Sequence, residues 1–241
     1  MIKINNLKKT FGENIAVDID SLTINKGDVL GLVGNNGAGK TTLFRLMLDL
    51  LKADHGDVEM TFDIGSGATY STDVRVDEEW KKYVGAYIDS SFLIDFLSPE
   101  EYFEFIAKVS GITKEELQSR LATYEALMNG EIMGQKKLIR SLSAGNKQKI
   151  GIIAALLNNP QIVILDEPFN FLDPSSQNIL KKTLLEYNKR TNATILISSH
   201  NLSHTVDISS RVVVMEHGVR VKDLNDMGES ARRELEEYFC R

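Results

Sequence analysis

Apolar positions in this chain follow two rhythms. Short unbroken apolar runs mark strands buried on both faces. Asp28-Val29-Leu30-Gly31-Leu32-Val33 is the first, and residues 162–165, 194–197 and 212–215 repeat the pattern. Residues 2–7 and 15–24 open the chain as further strands. Between these runs the rhythm is helical. Residues 41–51 predict one helix, residues 147–157 a second and residues 175–187 a third. Ser98-Pro99-Glu100-Glu101 is a capping box with proline at the first helical position, followed by Tyr102, Phe105, Ile106 and Val109 at helical spacing. Thr113-Lys114-Glu115-Glu116 opens another helix, with Leu117, Leu121 and Tyr124 on one face.

Strands alternating with helices predict a mostly parallel sheet covered on both faces, an α/β fold with an antiparallel N-terminal β portion. One domain is expected over 1–241, with a core from 1–89 and 141–241 and a helical subdomain inserted at 90–140.

Composition narrows the function classes. Of 241 residues, 42% are hydrophobic and 26% charged, which suits a folded domain. The net charge of −6 gives no reason to expect a nucleic-acid partner, and pairs such as Lys8-Lys9 or Lys136-Lys137 read as solvated faces. The single cysteine, Cys240, rules out an intrachain disulfide and suits a reducing compartment. Residues 1–6 lack the apolar stretch of a signal peptide, and no apolar run is long enough to span a bilayer. A cytoplasmic protein is expected, held to a membrane only through a partner.

The candidate chemistry sits where the apolar runs end. Gly34-Asn35-Asn36-Gly37-Ala38-Gly39-Lys40-Thr41 fits G-x-x-x-x-G-K-[ST], after a strand and before a helix. Glycines let the backbone N–H groups converge on phosphate oxygens at the positive helix terminus. Lys40 would reach the β- and γ-phosphates, and the Thr41 hydroxyl would bind Mg²⁺. Asp166 and Glu167 end the apolar run 162–165. There Asp166 can hold Mg²⁺ through its water shell, and Glu167 can polarise the attacking water. His200 follows run 194–197 and reads either as a γ-phosphate sensor or as a structural residue; His55, His204 and His217 read as surface residues. Leu142-Ser143-Ala144-Gly145-Asn146 precedes a helix and reads either as a second anion site or as an ordinary N-cap serine with a glycine turn.

In this order, the motifs resemble the nucleotide-binding domains of ABC transporters over nearly the whole chain. The resemblance makes Gly34 to Thr42 the Walker A loop (Thr42 included), Asp166 the Walker B aspartate and Glu167 the catalytic glutamate. It makes Leu172-Asp173 the D-loop, His200 the switch histidine and Ser143, Ala144, Gly145 and Asn146 the signature loop. Phe11 falls where the family has an aromatic residue stacking on adenine, though a core position at a strand end fits it equally. The implied cofactors are ATP and Mg²⁺. The implied partners are a second ATPase subunit, packed head to tail, and a transmembrane permease on a separate chain.

Three departures stand out. The signature is usually Leu-Ser-Gly-Gly-Gln, and here Ala144 and Asn146 replace two of its residues. Phe171 occupies a position that is typically small. Asp89 takes the place of a glutamine that touches Mg²⁺, unless it is simply a solvated loop residue. The stretch from Val84 to Leu97 is similar to exporters of the bacitracin and lantibiotic resistance type, which implies export. Phe92 and Phe96 within it either dock the membrane partner or close the insertion onto the main domain. The rival functions are a soluble ABC ATPase without a transport role and a regulatory subunit with little turnover.

Overall fold

A computed structural model describes residues 1–201, 205–225 and 228–239. Cys240 and His204 lie outside the described residues. Ten strands among them form one mixed sheet: β1 (Ile2–Phe11), β2 (Asn14–Ile24), β3 (Val29–Val33), β4 (His55–Gly65), β5 (Ala68–Asp73), β6 (Val84–Tyr87), β7 (Ile162–Leu165), β8 (Thr194–Ser199), β9 (Arg211–Glu216) and β10 (Val219–Asn225). Their spatial order is β5-β4-β1-β2-β10-β9-β3-β8-β7-β6. The segment from β9 to β6 is parallel, while β1, β2, β4 and β5 pair antiparallel. The α/β fold with an antiparallel N-terminal portion is as expected. The parallel part is only half of the sheet, since β4 and β5 extend the antiparallel portion beside β1 and β10 pairs antiparallel with β9. β4 buries Val58, Met60 and Phe62 in alternation and so shows no unbroken apolar run, while β5 and β10 are largely exposed.

The apolar runs work as period-two elements. In β7, Val163 and Leu165 face one core while Ile162 and Ile164 face the other; in β8, Ile195 and Ile197 oppose Leu196 in the same way. Every residue of these strands is therefore covered. α1 (Lys40–Met47) packs in the core shared with β1, β2 and β4, and α5 (Ala144–Leu156) and α6 (Pro174–Thr191) pack in the other. The last helix, α7 (Glu229–Phe239), adds Leu235 to a small cluster with Val212 and Val214.

Between β6 and α5 lie α2 (Pro99–Val109), α3 (Lys114–Ala122) and α4 (Glu125–Met128). Both expected caps form: Ser98 with Glu101, and Thr113 with Glu116, each exchange side-chain bonds with the other's backbone N–H. α3 stops at Ala122, so Tyr124 sits in the following turn, yet it is still buried. α1 ends at Met47 and not at residue 51, and α5 begins at Ala144 and not at residue 147. The second shift is consequential, because the signature residues Ala144, Gly145 and Asn146 become the first turn of the helix.

β6 lies at the edge of the sheet, and α5 covers it at unusually close range. A Cβ on Gly85 would sit 1.9 Å from the Ala155 carbonyl oxygen, and one on Gly151 would sit 2.0 Å from the Tyr87 ring. Helix propensity alone would make Gly151→Ala favourable by about 1 kcal/mol. Packing reverses the sign, since the Tyr87 ring is buried and cannot give way. Gly151→Ala is expected to destabilise the protein by about 1–2 kcal/mol net of propensity. Thermal unfolding should show a lowered midpoint, and a raised one would mean that α5 and β6 can separate freely.

Candidate functional site

The site is assembled at the carboxyl ends of β3, β7 and β8, which are neighbours in the order β3-β8-β7. After Val33 the chain curls through Gly34, which has no room for a side chain: its Cβ would meet the Met215 carbonyl oxygen at 2.3 Å. Gly39 has φ +100°, and its Cβ would sit 2.2 Å from the Ala16 carbonyl oxygen. Only glycine allows both that dihedral and that approach. Gly39 is also the N-cap of α1 and offers no side-chain hydrogen bond, so the first-turn N–H groups have no capping side chain. A cavity of about 220 Å³ opens there, lined by Asn36 to Thr42 together with Ala16 and Glu167.

Lys40 is buried and folds back over the loop. Its ammonium donates to the carbonyls of Gly34 (2.6 Å) and Asn35 (3.3 Å) and lies 3.6 Å from a Glu167 carboxylate oxygen. Asp166 is buried at the end of β7, with a hydroxyl donor on each oxygen: Thr41 Oγ1 on one and Ser198 Oγ on the other. Burial raises its pKa above the ordinary carboxylate value; the two hydroxyls oppose the shift and the Glu167 charge adds to it. Glu167 has φ +46°, a region that costs a residue with a side chain about 1 kcal/mol or more. Its N–H donates to Ser198 Oγ (2.8 Å), and its carboxylate lies 2.9 Å from His200 Nδ1. The His200 N–H also donates to that carboxylate at 3.3 Å.

The structure therefore brings Lys40, Thr41, Asp166, Glu167 and His200 together. Anions fit at the start of α1, and the Thr41 hydroxyl and Asp166 carboxylate are hard oxygen donors suited to a small divalent cation whose other positions are water or phosphate. No dedicated cluster of three His, Cys, Asp or Glu side chains occurs among the described residues.

The other expected residues are placed differently. Ser143 is the N-cap of α5 and accepts from the Asn146 N–H (3.1 Å), and Gly145 is helical, not a turn. Gly145 is needed for a close approach, since its Cβ would sit 2.7 Å from the Phe171 carbonyl oxygen. The Asp173 carboxylate caps α6, accepting from the N–H groups of Ser175 (2.9 Å) and Ser176 (3.0 Å) and from the Ser176 hydroxyl (2.6 Å), which holds its pKa low. Phe11 is exposed at the end of β1, not in a core; the Lys9 ammonium lies 5.5 Å from its ring centre, and the ring is not part of the phosphate-loop cavity. Asp89 lines a second cavity of about 470 Å³ with Ala144, Gln148, Asp166 and Glu167. Its carboxylate there takes the N–H (2.7 Å) and hydroxyl of Ser91 and lies 3.4 Å from Arg45, which leaves Asp89 engaged by its own turn and by α1. Phe171 is 73% exposed with φ +64°. His55 and His217 are exposed. Sequence reasoning missed Ser198 and Gln148, because a serine in an apolar strand and a glutamine within a helix carry no local signal.

An ionised Asp166 without a cation is a cost to the fold. Because its folded pKa is raised, folding takes up a proton in the window just above the ordinary carboxylate pKa of about 4, and stability falls as pH rises through that window. Asp166→Asn is expected to raise the melting temperature of the nucleotide-free protein at neutral pH by about 2–4 °C, on the order of 1 kcal/mol. That advantage should shrink as pH falls toward the ordinary carboxylate value. Melting curves of both proteins across pH check it, and a gap that widens on acidification would contradict the sign.

Comparison with known proteins agrees with this geometry. The family described as ABC transporter matches residues 17–170. The bacitracin transport ATP-binding protein BcrA of Enterococcus faecalis is 32% identical over 93% of this chain and 69% of its own length. The tungstate uptake system ATP-binding protein TupC of Peptoclostridium acidaminophilum is 32% identical over 90% of this chain and 95% of its own. In fold, the chain is similar to the ATP-binding cassette MJ0796, solved as a dimer in a post-hydrolysis state bound to ADP and phosphate (TM-score 0.77, 22% identity, 93% of this chain and 98% of that one). With a family match across more than half its length and relatives aligned over nine-tenths of it, the chain belongs to the ABC transporter family as an ATP-binding cassette ATPase.

Proposed function

We propose that this chain hydrolyses ATP as one of two identical motor subunits and drives export through a separate transmembrane partner. The observation that carries the reading is the convergence of Lys40 and Glu167 on the cavity at the start of α1, with His200 held against the Glu167 carboxylate. In this reading residues 34–42 cradle the phosphates, and Lys40 exchanges its loop carbonyls for phosphate oxygens. Glu167 accepts a proton from the attacking water, while His200 holds the Glu167 carboxylate and donates toward the γ-phosphate. Mg²⁺, held by Thr41 and Asp166, would supply charge neutralisation between the phosphates. Phe11 is available to stack on the adenine because its ring is exposed. Ser143, Ala144, Gly145 and Asn146 would meet the phosphates of the nucleotide bound by the second subunit, with Asp173 keeping the adjoining turn in place. Asp89 would join the metal's outer shell on leaving Arg45.

Residues 90–140 are proposed as the helical subdomain and residues 1–89 and 141–241 as the core. The membrane partner is supported by an apolar groove of about 250 Å³ beside β6, lined by Leu48, Leu50, Trp80 and Phe92 among others. Phe92 and Phe96 are 50% and 65% exposed, which supports docking over closure of the insertion onto the main domain. No helix among the described residues is long and apolar enough to cross a membrane. In this reading a separate transmembrane chain supplies the spans and holds this one on the cytoplasmic face. Export is supported by the segment from Val84 to Leu97, which resembles exporters of the bacitracin and lantibiotic resistance type, and a transport assay in membrane vesicles measures the direction.

Glu167→Gln is expected to bind ATP, to lose about a hundredfold or more in turnover, and to accumulate as an ATP-bound dimer. Phosphate release and size-exclusion runs with and without ATP and Mg²⁺ measure this; near wild-type turnover would move the base elsewhere. Phe92→Ser with Phe96→Ser should leave ATP binding intact while lowering recovery of a multi-span membrane protein from solubilised membranes. Lost ATP binding with undiminished recovery would refute the docking role.

A further inference from the structure

Glu167 is held in an unfavourable backbone conformation by groups that contact its peptide and not its carboxylate. On one side its N–H donates to Ser198. On the other its carbonyl accepts from the Asn170 N–H (3.1 Å) and from the side-chain amide of Gln148 (3.0 Å). Asn170 belongs to the same turn as Glu167 and moves with it. Gln148 does not: it lies one turn into α5, is 6% exposed, and reaches Glu167 across a gap of nineteen positions in sequence. Ala144, Lys147 and Gln148 stand at helical spacing on one face of α5, and that face lines the cavity containing Asp166 and Glu167.

We infer that Gln148 is a positioning residue for hydrolysis: its amide, carried by α5, fixes the Glu167 peptide and so the direction of the Glu167 carboxylate. The physical reason is that φ +46° is a shallow, disfavoured well for a glutamate, so a carbonyl released by Gln148 lets the peptide relax and swings the side chain it carries. A general base displaced by even about an ångström loses most of its advantage. Gln148 neither lines the cavity at the start of α1 nor bonds Lys40, so its loss should spare ATP binding. The inference rests on Glu167 being the base.

Gln148→Met keeps the length and the apolar stem but cannot donate. Phosphate release, ATP affinity and thermal melting are measured on the full chain for wild type, Gln148→Met, Glu167→Gln and the double variant. The expected result is a kcat lower by about tenfold or more in Gln148→Met, with KM and ATP affinity within about twofold of wild type and melting little changed. In the Glu167→Gln background the same substitution should lower the residual rate no further, since two changes acting through one group are not additive. Gln148→Glu, which places an acceptor where the donor was, should fall at least as far as Gln148→Met. A kcat within about twofold of wild type overturns the inference, as does an equal fold-loss in the Glu167→Gln background. Early melting or lost ATP affinity would make Gln148 a packing residue and overturn it too. The reading beneath it fails separately: there, Glu167→Gln itself would turn over like wild type, whereas failure of the inference alone leaves Glu167→Gln at its low residual rate and Gln148→Met near wild type.

Discussion

The arrangement depends on one buried carboxylate. Asp166 ends a strand in which every side chain is covered, and a charge placed there needs a partner on each oxygen. It finds Thr41 at the start of α1 and Ser198 at the end of β8, so a single side chain ties the helix that follows the phosphate loop to two strands of the parallel sheet. Ser198 in turn holds the N–H of the next residue, Glu167. The electrostatic cost of burying Asp166 and the positioning of Glu167 are thus parts of the same hydrogen-bonded set. Replacing Asp166 by an apolar residue would relieve the first and undo the second.

Around that carboxylate the backbone takes conformations that residues with side chains rarely adopt. Gly39 with φ +100° opens α1 without a capping side chain, and its approach to Ala16 leaves no space for a Cβ. Glu167 and Phe171 adopt positive φ with full side chains, at opposite ends of one short turn. Strain of this kind persists only where neighbours over-determine it. At Glu167 the neighbours are named groups: Ser198, Gln148 and Asn170. At Phe171 the carbonyl lies over Gly145, so the first turn of α5 and the turn after β7 are fitted to each other through a glycine.

α5 links the parts of the molecule that differ most in character. Along one helix it carries the capped turn at Ser143, the amide of Gln148 against Glu167 and the bare face of Gly151 against Tyr87. Its tight seat on β6 leaves it little freedom to tilt independently of the sheet, because Gly85 and Ala155 are already in contact. Its first turn and the turn that holds Glu167 are fitted to each other through Gly145 and Gln148.

Much of this was legible in the amino-acid order. The buried strands could be read because a strand covered on both faces is an unbroken apolar run, and the phosphate loop because its glycines, lysine and threonine must be contiguous to wrap one anion. The caps at Ser98 and Thr113 could be read because capping is a matter of four adjacent residues. What could not be read is whatever depends on residues distant in sequence. β4 buries Val58, Met60 and Phe62 on one face only, and β5 and β10 are largely exposed, so none shows the unbroken apolar run of a strand covered on both faces. Phe11 and Phe92 were open between core and surface, and exposure is decided by what the rest of the chain fails to cover. Ser143 was open between an anion site and an N-cap, and Asp173 was implied only as a D-loop residue; each closes the N-terminus of its own helix. Ser198 and Gln148 had no motif at all. Their roles come from tertiary structure alone, because a hydrogen bond to a backbone group needs only a donor of the right reach, and any of several residue types at many positions could have supplied one.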